Sequence, residues 1–109
     1  MRPKINITGT LRYASIEDYL RDNIFVPLHR RLANNSGVYT AGHANFLIAE
    51  FDLLINSGAI TNYTYGNSYD STVGSVFHGY VHIPVGLGTD VYVYAVGRKE
   101  IIFRKLGVV

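Results

Sequence analysis

Apolar residues recur with a helical period through the middle of the chain. Ala44, Leu47, Ile48, Phe51, Leu54 and Ile55 follow one another at i, i+3, i+4, i+7, i+10 and i+11. That spacing lays one stripe along a helix, with Glu50 and Asn56 off it. Thr40 is placed to cap the helix start, and Gly58 to take the left-handed conformation that ends it. An earlier stripe, Ile16, Tyr19, Leu20 and Ile24, follows Ser15, with Glu17 and Asp18 suited to the positive end of a helix. Pro27 interrupts this segment. A proline inside a helix removes one hydrogen bond and clashes with the preceding turn. The pattern resumes at Leu28 and Leu32, so a kinked helix over residues 15–32 is expected. Asn34-Asn35-Ser36-Gly37 reads as a turn.

The period changes to two on either side of this helical region. Residues 4–8 alternate, with Ile5 and Ile7 on one face. Beyond Gly58, residues 59–65 are β-branched and aromatic, hence a strand. Residues 66–71 read as a polar loop. Residues 73–85 form a long strand, with Phe77, Val81 and Ile83 on one face and His78, Tyr80 and His82 on the other. A hairpin connection over residues 86–90 leads to Val91, Val93 and Ala95, expected toward the core, with Tyr92 and Tyr94 opposite. Ile101, Ile102 and Phe103 make a last short strand before an apolar tail. The predicted order is β-α-α-β-β-β-β: an α+β fold, two helices packed on one face of a mainly antiparallel sheet, with strand-forming terminal arms.

Composition narrows the classes. The chain has 109 residues, 48% of them hydrophobic and 17% charged. That describes one globular domain, read as an N-terminal arm (1–10), a core (11–97) and a C-terminal arm (98–109). No cysteine is present, which excludes disulfides, thiolate nucleophiles and cysteine metal sites. The N-terminal residues lack the apolar run of a signal peptide, and no run reaches the length of a membrane span. A net charge of +2, with basic residues scattered, does not describe a nucleic-acid surface. Nine tyrosines are many for this length, and tyrosine suits half-wet interfaces.

Catalytic patterns are missing. His78 and His82 share a strand face but stand roughly 13 Å apart at the rise of a strand, too far for one metal ion. His29 and His43 belong to different helical segments, and no HExxH pattern occurs. Gly74-Ser75 lacks the second glycine of a nucleophile elbow. Glu50 and Asp52 diverge on a helix, and Gly86-Leu87-Gly88 has no helix after it to cradle phosphate. Neither an enzyme nor a cofactor is expected. The face assigned His78, Tyr80, His82, Tyr92 and Tyr94 has three readings: a partly wet sheet surface, a protein interface, or a ligand site. The apolar chain ends favour association, because an unpaired terminal strand invites a partner. The candidate subunit-interface residues are therefore Ile5, Ile7, Tyr80, Tyr92, Tyr94, Ile101, Ile102 and Phe103.

Several short motifs carry a resemblance. They are Arg12-Tyr13-Ala14-Ser15-Ile16 at a helix start, Phe46-Leu47 through Leu54, Ser57-Gly58-Ala59-Ile60 at a helix end, and Val81-His82-Ile83-Pro84 on a strand. Together they resemble the C-terminal domain of contractile phage tail sheath proteins, over about residues 11–96. The resemblance implies a structural virion protein whose domain faces the inner tail tube. Terminal strands of neighbouring subunits would join its sheet, giving rings or a helical layer. It implies copies of itself, the tail tube and other tail proteins as partners, without direct nucleic-acid or membrane contact. It also implies assembly in the host cytoplasm into the phage tail. Sheath proteins usually carry large domains before this one, so a terminator or neck completion protein is an alternative. A small-ligand-binding protein or enzyme using the Tyr/His face is the alternative from another class.

Overall fold

The computed structural model describes residues 5–6, 12–13, 15–34, 41–72 and 74–109. Strands β1 (Ile5–Asn6) and β2 (Arg12–Tyr13) pair antiparallel as a small hairpin. Helix α1 (Ile16–Leu20) follows, and its N-cap is the expected one: the Ser15 hydroxyl accepts from the Asp18 amide at 3.2 Å. The Asp18 carboxylate turns instead to Arg21, 3.2 Å away.

The helix does not stop at Pro27. A π-helical turn (Arg21–Phe25) joins α1 to α2 (Val26–Asn34), and the Val26 amide reaches back five residues to the Arg21 carbonyl. The wider turn lies directly ahead of the proline. A wider turn is a place where a helix accommodates a residue that would clash with the preceding turn and cannot donate. The expected kink is thus an expanded turn, and the segment runs on to Asn34.

Helix α3 (Ala41–Ser57) carries the central stripe. Leu47, Phe51 and Leu54 are wholly buried and Ala44 nearly so, while Ile48 and Ile55 sit at the margin. Gly58, at φ +80°, ends the helix. Its amide donates to Ile55 and that of Ala59 to Leu54, the paired bonds of a Schellman cap. The proposed N-cap Thr40 lies outside the described residues.

Among the described residues the main sheet has five antiparallel strands: β3 (Asn62–Tyr63), β4 (Gly66–Asp70), β5 (Gly74–Val85), β6 (Gly88–Val96) and β7 (Ile101–Val108). Strands β3 and β4 lie end to end along one side of β5, and β6 and β7 follow on the other. Two expectations are corrected here. The strand expected over residues 59–65 shrinks to Asn62–Tyr63, and the supposed polar loop 66–71 is mostly strand β4. Its glycine, asparagine, serine and aspartate are poor strand formers, so pairing to the long β5 strand overrides propensity.

All helices lie against one face of this sheet, which completes the α+β layout. Phe25 is the hub: its ring stacks on Tyr94 at 5.0 Å and meets Phe103 at 5.0 Å and Phe51 at 6.4 Å. Residues 98–109, expected as a detached arm, are folded into the domain. Phe103 also stacks on Tyr92, and β7 pairs with β6 of its own chain. The N-terminal strand likewise pairs within its own chain, Ile5 opposite Tyr13.

Candidate interface: the uncovered sheet face and the β7 edge

The side of the sheet away from the helices is set by strand register. In the β5–β6 pair His78 faces Ala95, Tyr80 faces Val93 and His82 faces Val91. Directly opposed residues share a face, so Val91, Val93 and Ala95 join His78, Tyr80 and His82 on the uncovered side. In the β6–β7 pair Ala95 faces Ile102 and Val93 faces Arg104, extending the surface across a third strand. Tyr80 is 46% exposed and Ile102 39%. His78 folds over Gly66, where a Cβ would come within 3.0 Å of its ring.

This register overturns the placement of two tyrosines. Tyr92 faces Val81 and Tyr94 faces Gly79, so both point at the helices and are buried. Neither lies on the face away from the helices. Their hydroxyls find partners, which is what makes a buried tyrosine affordable. Tyr92 donates to Glu17 at 2.7 Å and Tyr94 to the Thr64 carbonyl at 2.8 Å. Gly79 makes room for the second contact, since a Cβ there would lie 2.1 Å from that same carbonyl. Burial and the neighbouring tyrosines Tyr63 and Tyr65 push the Tyr94 hydroxyl far above its usual range. Conversely Val91 and Val93, expected in the core, sit half-buried on the uncovered face.

The other candidates divide by position. Ile101 and Phe103 turn inward and pack on the core, while Ile102 between them faces out. Ile5 lies in β1, and Ile7 falls outside the described residues. Arg104 is exposed on β7, and its place on the face of Ile102 follows from the β6–β7 register, which no local pattern gives.

Several other polar groups are engaged within the fold. Glu50 accepts from Tyr19 at 3.4 Å and Asp52 from Tyr63 at 2.8 Å. The His29 Nδ1–H donates to the Gly97 carbonyl at 2.6 Å, tying α2 to the β6–β7 turn. His43 is buried, and burial together with Arg31 lowers its pKa. A hollow at the β6–β7 turn is lined by Val76, Gly97, Arg98, Lys99 and Glu100, not by the tyrosine and histidines of the uncovered face.

The second feature is an edge. Among the described residues no strand pairs with the outer side of β7. This edge carries exposed charges, Glu100 and Arg104, on the side away from the helices. A β-bulge interrupts the pairing only opposite Val91 and Tyr92, and Lys105 is drawn to Asp90 at 3.4 Å. Leu106, which the bulge leaves without an opposite residue, and Val108 beyond it are exposed, as is Leu87 at the β5–β6 turn. Among known proteins, no family model, no curated protein and no solved structure matches the chain.

Proposed function

We propose that this chain is a structural subunit of a phage tail, similar in role to the tube-facing domain of a contractile sheath. It builds a ring or helical layer by joining its sheet to those of neighbouring copies. The observation that carries this reading is the β7 edge, an eight-residue strand that has no partner on its outer side among the described residues, beside a sheet face away from the helices bearing Tyr80, Val93 and Ile102. Edge strands of this length associate unless blocked, and main-chain hydrogen bonds then give affinity while alternating side chains fix register. The sequence motifs supply the phage context. Because residues 98–109 lie on their own sheet, the joining event is addition of a strand at that edge rather than release of the C-terminal segment.

The test is oligomeric mass by sedimentation over a range of concentrations, with electron microscopy of the concentrated protein. Rings or tubes are expected. A monomer at every concentration would refute the assembly role and move the weight to a ligand-binding use of the His78–Tyr80–His82 face.

A further inference from the structure

We propose that two copies pair through β7, antiparallel and two-fold symmetric about Ile102, joining their sheets into one. This rests on the assembly reading above and names its first contact. Three observations specify it.

The first is the hydrogen-bond phase of β7. The Gly97 amide donates to the Glu100 carbonyl at 3.0 Å, so Gly97 and Glu100 form a hydrogen-bonded pair. Such pairs alternate along an antiparallel ladder. Continuing the register, Ile102 opposite Ala95 and Arg104 opposite Val93 also bond inward. The backbone groups of Ile101 and Phe103, between them, therefore point outward. In a pair centred on Ile102, Ile101 of one copy exchanges both bonds with Phe103 of the other, and this happens twice.

The second is charge. Glu100, Ile102 and Arg104 are exposed and alternate along the edge. Antiparallel pairing about Ile102 sets Glu100 of each copy against Arg104 of the other and places the two Ile102 side chains together. Opposite charges facing across strands stabilise a pair, and like charges oppose it. Centring on Phe103 would set Arg104 against Ile102 and form no ion pair. Centring on Arg104 would place two guanidiniums face to face. Only the Ile102 register makes the Glu-x-Ile-x-Arg stretch complementary to itself.

The third is what keeps other cations away. Lys105, next along the strand, is held by Asp90 of its own sheet. The bulge lies beyond it, so residues 101–104 stay in regular register, with Glu100 bonded to Gly97 just ahead of them. A two-fold contact uses the same patch on both subunits and closes on itself. The β7 edge is then used up within the dimer, and growth of dimers into larger rings or layers falls to the outer sheet face bearing Tyr80 and Val93.

The experiment uses the full chain, which has no native cysteine. Directly opposed residues of a non-hydrogen-bonded pair lie about 4.5 Å apart at Cα, within disulfide reach. Ile102→Cys should give a covalent dimer on mild oxidation, while Arg104→Cys should not. Sedimentation equilibrium then compares charge variants, with circular dichroism to verify the fold. Arg104→Glu and Glu100→Arg should each weaken dimerisation on the order of tenfold, and the double exchange should restore it. Equal cross-linking of the two cysteine variants, no cross-linking of Ile102→Cys, or no recovery in the double exchange would overturn the register. Rings or tubes that form without the Ile102 cross-link would sink this contact and leave the assembly reading standing. A cross-linked dimer with no larger assembly would do the reverse.

Discussion

The two faces of the sheet are made by the same strands yet obey different rules. On the inner face Phe77, Val81, Tyr92, Tyr94 and Val96 are almost wholly buried beneath the helices. On the outer face His78, Tyr80, Val91, Val93 and Ala95 keep contact with solvent. Hydropathy does not separate the two sets. The inner one holds two tyrosines, the outer one two valines and an alanine. Polar atoms do separate them. Each inner hydroxyl has a fixed acceptor, whereas the outer Tyr80 hydroxyl can be met by water. An outer surface that mixes Val93 and Ile102 with Tyr80 and the histidines, and that no described helix covers, is of the kind a partner would use.

The comparison can be tested from its strongest side. Phe51→Ala should destabilise the domain by about 3–5 kcal/mol, since the ring is fully buried against Phe25, Tyr63 and Tyr94. Urea denaturation followed by circular dichroism measures this, and a loss near zero would contradict the helix-on-sheet core. Tyr94→Phe keeps the ring and removes only the donor to Thr64, so a smaller cost of about 1–3 kcal/mol is expected.

The alkaline stability profile probes the rim of the inner face. Desolvation, and after it the carboxylate of Asp52, pushes the Tyr63 hydroxyl from 10.0 up to about 12. The folded protein then holds this proton longer than the unfolded chain does. The resulting stabilisation is complete below the unfolded value of about 10 and is lost as pH rises through the folded value of about 12. Tyr63→Phe should flatten the fall in denaturation midpoint over that window. Tyr94, shifted in the same direction, leaves part of the slope in place. An unchanged profile would argue against the burial of this hydroxyl and, with it, the Asp52 contact.

The smallest effect belongs to the outer face. Tyr80→Ser should change the stability of the isolated domain by less than about 0.5 kcal/mol, as exposed substitutions do. If the uncovered face is an interface, the same variant should shift the assembly equilibrium toward smaller species in sedimentation. A large loss of stability without any change in mass would mean that this face serves only the fold.

The C-terminal strand shows how the structure alters an expected experiment. Deleting residues 101–109 looks, from sequence, like trimming an arm. In the folded chain it would strip Phe103 from Phe25 and Tyr92 and open the core. Point changes at Glu100, Ile102 and Arg104 separate association from folding, which that truncation cannot do.

Local signals determined the helices. The stripe of α3 and its glycine stop were legible because period and capping act within a few residues. So was the Ser15 cap. The inward face of β5 was legible too, since Phe77, Val81 and Ile83 alternate plainly. The phase of β6 was not, and the reason is one turn. Reading residues 86–90 as the connection leaves the phase of β6 undetermined, and hydropathy then puts the valines inside. The folded chain turns on Gly86 and Leu87 alone, with Val85 opposite Gly88 and Gly86 at φ +60°. A two-residue turn locks odd positions of β5 against even positions of β6, so once Val81 faces inward Tyr92 and Tyr94 must follow. The acceptors that make their burial tolerable, Glu17 and the Thr64 carbonyl, lie 75 and 30 residues away along the chain. No local pattern could announce them. The π turn ahead of Pro27, the strand status of residues 66–70 and the open edge of β7 were likewise decided only when distant segments packed. Side-chain period is a property of neighbours in sequence, whereas register, hydroxyl partners and edges are properties of neighbours in space.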